Sequence, residues 1–507
     1  MSSSRRYTVM TAIPYVNGRP HVGHALELVQ ADVLARHRRQ CGDEVRFQTG
    51  TDDNALKNVQ GAEAEGITPQ EYVARVAERF AGLREPLDLS FDDFISTSSD
   101  PRHRPGVDKL WAACAARGDF YKKAYSGLYC VGCERFYTAD ELTPDGHCEE
   151  HGTTPEPVEE SNWFFRLSRY QDALEELISS DRLRIEPATR KREVLSFIRA
   201  GLEDFSVSRS VARARGWGIP VPGDPGQVIY VWYDALANYI TAPGYGTDDP
   251  QFTYWWDESE RVHVIGKGII RFHAVYWPAM LLSAGVSLPG TIFVHEYLTA
   301  GGEKISKSAG NAEDPADLAT RYGTDALRWW MLCEVARFGD TDYTAPRLVN
   351  RANEDLANNL GNFVNRTASM IHRYRNGVVP SSEAGTTEVA ALRQVRAAAL
   401  DTIRAALGEF DFRRAANAVT AIGDEGNGYI ESVRPWELAK AERASGAATT
   451  RLDGVLAELI ATCLDIARHL TPFLPAAAAR IAAQCTPLPS GDIPEPRPVF
   501  PRLEPAS

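Results

Sequence analysis

Cysteine is scarce in this 507-residue sequence, with eight residues at 41, 114, 130, 133, 148, 333, 463 and 485. That excludes a disulfide-stapled scaffold and points to a reducing compartment; only Cys130, Cys133 and Cys148 cluster closely enough to share a metal. Excess positive charge is missing too, since 55 basic residues face 68 acidic ones and leave a net −13. No global cationic field exists to drive indiscriminate nucleic-acid binding, so a polyanionic partner needs a local basic surface. Long apolar runs are absent: MSSSRRYTV has no apolar segment behind its arginines, and the stretch from Ala274 is broken by Pro278 and Gly285. The expectation is a cytoplasmic protein with no membrane partner. No internal repeat and no low-complexity tract precedes residue 487, which excludes a solenoid.

What remains is ordinary globular composition, 44% hydrophobic and 24% charged. At roughly 150 residues per domain the length corresponds to about three domains. A β-prone run from Tyr7 to Ala12, the loop IPYVNGRP and an amphipathic stretch from about His24 open an α/β nucleotide-binding unit. A second β-prone run, EVRFQTG, ends in the polar cluster Thr51, Asp52, Asp53, Asn54, as expected where a parallel strand delivers ligand groups. Short turns, cysteines and aromatic runs fill residues 117–229 and read as an insertion, after which β-prone VHVIG and TIFVH resume. The fold class expected is α/β: a Rossmann-type parallel-sheet domain over 1–116 and 230–325, split by the 117–229 insertion. A linking segment over 326–349, an α-helical bundle over 350–486 and a Pro-rich tail over 487–507 follow. Apolar residues at 392, 395, 399, 403, 406 and 410 share one helix face, and seven prolines in the tail predict an extended or partly disordered end.

Two short signatures carry chemistry. His21-Val22-Gly23-His24 stands at a loop-to-helix junction, where backbone N–H groups and the helix dipole favour anions and two imidazoles can donate to phosphate oxygens. Taken alone it also reads as a surface loop or half a metal site. Lys304-Ile305-Ser306-Lys307-Ser308 follows Gly301 and Gly302, and its two ammonium groups can neutralise triphosphate oxygens; alone it also reads as a solvated basic loop. Cys130-Val131-Gly132-Cys133 and, after fourteen intervening residues, Cys148-Glu149-Glu150-His151 have the spacing of a closed four-ligand zinc knuckle, with a pair of unrelated thiols as the alternative.

Together, HVGH after the first strand and KISKS after the last resemble the HIGH and KMSKS signatures of class I aminoacyl-tRNA synthetases. Within that class the segments AIPYVNGRPHVGH, TGTDD, CVGC, VWYDALANYI, HVIGKGIIRFHAVYWPAM, KISKS and RPWELAK are similar to those of methionyl-tRNA synthetases, in the same order. The resemblance implies activation of L-methionine with Mg·ATP to methionyl-adenylate and transfer to tRNA(Met). It implies that His21 and His24, with Gly23, contact the ATP phosphates, and that Lys304, Ser306, Lys307 and Ser308 hold the β- and γ-phosphates. For methionine it points to Ile13, Tyr15, Asp52, Trp232, Ala235, Leu236, Tyr239, Ile269 and His273. An unbranched thioether suits such aromatic and aliphatic walls, and Asp52 can anchor an ammonium. It also implies one structural zinc on Cys130, Cys133, Cys148 and His151, in an insertion that receives the acceptor end, and anticodon reading by Asn362, Arg366 and Trp436. Seven Lys/Arg against three Asp/Glu between residues 190 and 215 supply part of the basic surface.

The sequence departs from the family where Asp52 is followed by Asp53-Asn54-Ala55 rather than Glu-His-Gly, and where the usual GKDI is Gly266-Lys267-Gly268-Ile269. The missing acid at Gly268 leaves Arg209 without its expected partner. His295-Glu296 replaces His-Gly, and Ile305 replaces the methionine of KMSKS. A divergent paralogue with altered amino-acid choice or inhibitor sensitivity, and a non-catalytic tRNA-binding protein, are the alternative readings. With little but the tail after the bundle, a monomer is expected.

Overall fold

Alternating β-branched runs and amphipathic stretches resolve into a parallel sheet. The computed structural model describes residues 5–132, 135–149, 152–247, 249–305, 313–381, 389–445 and 450–504. Strands β1 (Arg6–Thr11), β2 (Glu44–Thr51), β3 (Asp93–Ser96), β4 (Arg184–Glu186), β5 (Glu260–Gly266) and β6 (Thr291–His295) pair in the order β3-β2-β1-β5-β6-β4. Every pairing is parallel, and Val9 of β1 stands opposite Phe47 of β2 and Val262 of β5. β1 is buried along nearly its whole length, as a parallel sheet covered on both faces requires. The chain runs outward from β1 in both directions, so the crevice at the carboxyl ends of β1 and β5 is the topological switch point where such folds bind ligands.

Helix α1 (Val22–Gln40) follows the β1 loop. α2 (His103–Ala116), α3 (Val231–Leu236), α4 (Asn238–Thr241) and α5 (Trp277–Ala284) belong to the same unit, which comprises Met1–Ala31, Cys41–Arg84 and Leu89–His295. Residues 117–229 form a four-stranded antiparallel sheet from Phe120–Cys130, Arg135–Tyr137, Glu156–Phe165 and Phe205–Ser206. The same stretch also supplies β4 to the parallel sheet, so it is not wholly separate from the nucleotide fold.

The second unit comprises Asp32–Gln40, Glu85–Asp88 and Glu296–Ser507. Its helices include α6 (Thr324–Cys333), α7 (Asn362–Arg375), α8 (Ala390–Gly408), α9 (Phe412–Val433), α10 (Pro435–Ser445), α11 (Thr450–Leu470) and α12 (Pro475–Cys485). The α8 stripe is buried at Leu392, Ala399, Ile403 and Ala406, while Val395 is only half-buried and Phe410 lies in the turn beyond the helix. The Pro-rich tail is extended as expected, but its described part is anchored: Ile493, Val499 and Phe500 are buried, and Asn353 makes two hydrogen bonds of 2.8 Å to the Leu503 backbone. Apolar side chains between the prolines give the tail something to bury, which proline content alone does not reveal.

Candidate active site

The HVGH loop is locked by its own backbone. The His21 N–H donates to Nδ1 of His24 at 3.1 Å, and the Gly23 N–H donates to Nδ1 of His21 at 3.2 Å. Both imidazoles therefore accept at Nδ1 and carry their proton on Nε2, the state that donates to an anion. The rings stack 3.8 Å apart, and a Cβ at Gly23 would stand 3.0 Å from the His21 ring, so a larger residue there would press the His21 ring out of its place.

At the end of β2, Asp52 donates its backbone N–H to Pro14 O at 2.9 Å and forms a parallel bridge with Tyr15. Asn58 Nδ2 caps the carbonyls of Asp52 and Asp53 at 3.1 and 2.9 Å, and Trp217 Nε1 donates to Asp53 O at 2.8 Å. The Asp53 carboxylate, which replaces the family glutamate, accepts from the Ser96 and Ser98 hydroxyls while burial pushes its pKa up.

Aromatic rings pack beside this loop. Trp232 stacks on Phe272 at 3.8 Å and 5°, while Tyr15 and His273 meet Trp232 edge-on at 6.1 and 6.5 Å. His273 Nδ1 donates to Ile269 O at 3.0 Å, so Nε2 is the acceptor for the Tyr239 hydroxyl at 2.7 Å. This pair satisfies its own polar groups and offers a soft apolar ligand no unmet hydrogen bond to violate. Burial pushes His273 down to about 4 and raises the Tyr239 hydroxyl well above its usual range, keeping the imidazole neutral and the phenol protonated at pH 7. Among the predicted methionine residues the structure thus joins Tyr15 to Asp52 and Trp232, and Trp232, Tyr239 and Ile269 to His273. Ala235 and Leu236 are buried on α3, and Ile13 is half-buried in the loop after β1.

Two neighbours escaped the sequence reading. Phe272 is adjacent to His273 in a π-helical turn, Phe272–Tyr276, and ordinary helix periodicity does not place adjacent residues against one cluster. His263 alternates inward from β5, fully buried and edge-on to Tyr239 at 4.2 Å, with no hydrogen-bond partner for either ring nitrogen among the described residues. Its signal was the histidine inside the apolar run VHVIG.

In the second unit, Gly301 and Gly302 have φ of 65° and 80° and form the two-residue turn of a hairpin that pairs Thr299 with Lys304. Ile305 is buried; Ser306, Lys307 and Ser308 lie outside the described residues, as does the Lys304 side chain.

Cys130 and Cys148 are buried together with Tyr137, whose hydroxyl lies 3.1 Å from the Cys148 sulfur. Cys133 and His151 lie outside the described residues, and among the described residues no group of three metal-ligating side chains occurs. Two buried thiols in one small cluster are the donor chemistry of half a zinc knuckle.

Along α7 and α9, Asn362 donates to Asn427 at 3.2 Å and Arg366 pairs with Glu431 at 2.6 Å. Trp436, at the start of α10, is 37% exposed rather than buried in the core. The 190–215 segment is less cationic than its count implied: Arg190, Lys191, Arg199 and Arg215 pair with Glu193, Asp181, Glu175 and Glu63. Arg209 is not left without partners, since it donates to Ser206 Oγ and Ser208 O and lies 4.2 Å over the Tyr230 ring.

Comparison with known proteins adds to this geometry. The family described as tRNA synthetases class I (M) matches residues 7–150 and 139–368, and the anticodon binding domain of methionyl tRNA ligase matches 379–495. A methionine–tRNA ligase of Brucella suis is 42% identical over 99% of this chain and 98% of its own length. One from Fusobacterium nucleatum is 40% identical over 95% of this chain and 74% of its own. The solved structure of Mycobacterium tuberculosis methionyl-tRNA synthetase in complex with methionyl-adenylate is 38% identical, covering 98% of this chain and all of its own with a TM-score of 0.93.

Proposed function

The chain belongs to the methionyl-tRNA synthetases of class I, and from that premise we infer that its reaction is the family's own. L-methionine and ATP give methionyl-adenylate and pyrophosphate, and the methionyl group then passes to tRNA(Met). The observation that carries this is the self-satisfied Tyr239–His273 pair beside Trp232, whose ring also meets Tyr15, the bridge partner of Asp52, in the same unit as the Nε2–H donors of HVGH.

The methionine carboxylate is already a nucleophile, so attack on the α-phosphorus needs positioning and charge neutralisation more than proton transfer. Asp52 anchors the substrate ammonium, while Ile13, Tyr15, Trp232, Ala235, Leu236, Tyr239, Ile269 and His273 receive the side chain. Excluding water there keeps the ammonium–carboxylate attraction strong. His21 and His24 donate from Nε2 to phosphate oxygens near the α-phosphorus, and Gly23 lets the backbone approach. Lys304 and Lys307, with Ser306 and Ser308, hold the departing pyrophosphate. ATP enters as its magnesium complex, the metal offsetting phosphate charge.

Cys130, Cys133, Cys148 and His151 would hold one zinc, whose chemistry is to staple the loops of the 117–229 segment that receives the acceptor end. In the helical segment Trp436 stacks on an anticodon base, and Asn362 and Arg366 read base edges. Arg366 can exchange Glu431 for a base at little cost, because exposed ion pairs are worth only about 0–1 kcal/mol. The enzyme works in the cytoplasm as a monomer, which sedimentation of the purified protein would check.

The direct test is acylation of tRNA(Met) by the purified protein. Charging that requires both ATP and methionine, and that disappears in Lys307→Ala, is the expected result; a fully active Lys307→Ala enzyme would refute the lysine's role.

A further inference from the structure

Asp234 takes no part in the mechanism above, yet it is the centre of a buried polar chain. It lies on α3 between Trp232 and Ala235 and is 1% exposed. One carboxylate oxygen accepts from Asn54 Nδ2 at 2.7 Å, and the other accepts from His103 Nε2 at 2.5 Å. His103 Nδ1 meets the Thr241 hydroxyl at 2.8 Å, and both of those residues are fully buried. Asn54 is half-buried in the loop just past Asp52, so the chain of bonds runs from that loop, through α3, to the first residue of α2 and the last of α4.

The elements at the far end are fixed. A Cβ at Gly106 of α2 would stand 2.3 Å from Thr241 Cγ2, so α2 and α4 approach as closely as glycine permits. Gln48 of β2 donates to the Asn238 backbone carbonyl and side-chain oxygen at 3.1 and 3.0 Å, and Asn238 donates to Ala235 O at 2.7 Å. The near end is a loop whose Asp52 and Asp53 are held by Pro14, Asn58, Trp217 and the Ser96 and Ser98 hydroxyls, bonds to elements other than α3. Among the described residues Asn54 Nδ2 joins that loop to α3 through Asp234, and the bond is of the stronger kind, a donor on a carboxylate.

We propose that Asp234, backed by His103, is a positioning residue: through Asn54 it sets the distance between the Asp52 loop and the α3 wall that carries Trp232, Ala235 and Leu236. The inference rests on the reading of Asp52 as ammonium anchor and α3 as side-chain wall. A substrate with an ammonium at one end and an unbranched side chain at the other is then gripped at two points whose separation the clamp holds. Binding of the amino acid depends on that separation, whereas binding of ATP does not. Asn54 suits the role because its amide donates without carrying charge, whereas an aspartate would set two carboxylates against each other.

The test compares wild type, Asn54→Ala, Asn54→Asp and Asn54→His in amino-acid-dependent ATP–pyrophosphate exchange, with KM measured for both substrates. Losing a hydrogen bond to a buried carboxylate predicts that Asn54→Ala raises KM for methionine roughly 10-fold and leaves KM for ATP within about twofold. Asn54→Asp is the worse of the two. Asn54→His, whose Nδ1 stands where the amide nitrogen stood, recovers to within about threefold of wild type. A KM for methionine unchanged in Asn54→Ala overturns the clamp, as does an equal rise for both substrates or failure of the histidine to rescue. Exchange with a different amino acid in the wild type sinks the methionine reading instead; the same order of variants for that amino acid would still uphold the clamp.

Discussion

The carbonyl of Ile269 decides what His273 can offer a substrate: by taking the Nδ1 proton it leaves Nε2 as an acceptor, which the Tyr239 hydroxyl fills. Tyr239→Phe leaves that acceptor buried and unmet. We expect a stability loss of about 1–3 kcal/mol and a several-fold higher KM for methionine, read from thermal melting and exchange kinetics. His263 and His273 both have pKa values pushed below the usual 6.5 by burial, His273 to about 4. The unfolded chain takes up protons at both from about pH 6.5 downward while the folded protein does not. Their contribution is present above pH 6.5 and is lost as pH falls toward 4. His263→Phe removes one of the two groups, so its stability should fall less steeply than wild type over that window, by up to about 1.4 kcal/mol per pH unit. Urea unfolding at a series of pH values checks this, and parallel slopes would contradict it.

Helix α1 shows how much of an element was legible. Its start near the HVGH junction could be read from the sequence, as could the parallel strands flanking it and the helical stripe of α8; the amphipathic pattern expected of it is not what the structure shows, because the helix is buried on nearly all sides, Gln30, Asp32 and His37 included. What could not be read is why Asp32 sits inside it. Within the second unit Asp32 is fully buried, accepting from Arg36 and from Arg328 of α6 at 2.8 Å each. Arg328, itself 0% exposed, also donates to the carbonyls of Leu87 and Phe473. Partners hundreds of residues apart leave no local pattern. The same holds for β4, three residues contributed from within the insertion, and for the adjacent pair Phe272 and His273, which helix periodicity would set on different faces. Arg328→Met leaves Asp32 with Arg36 as its remaining arginine partner and leaves the Leu87 and Phe473 carbonyls without this donor, and should cost about 1–3 kcal/mol of stability, measurable by chemical unfolding. A near-neutral effect would mean that water reaches Asp32.

For the whole molecule, the −13 net charge does not exclude a polyanion but confines it to local features. With most cations of 190–215 already paired, exposed Trp436 becomes the more telling feature. Stacking on a base is worth about 1–3 kcal/mol, so Trp436→Ala should raise KM for tRNA roughly 10-fold while exchange, which uses no tRNA, stays near wild type. Equal loss in both assays would mean a packing role. Metal analysis should find about one zinc per chain, and active zinc-free enzyme would dismiss the knuckle. Selection of methionine for activation by ATP is read out by pyrophosphate exchange measured across the amino acids, and strong exchange with methionine and little with the others is the expected result. Exchange driven by another amino acid, or by none, would contradict it.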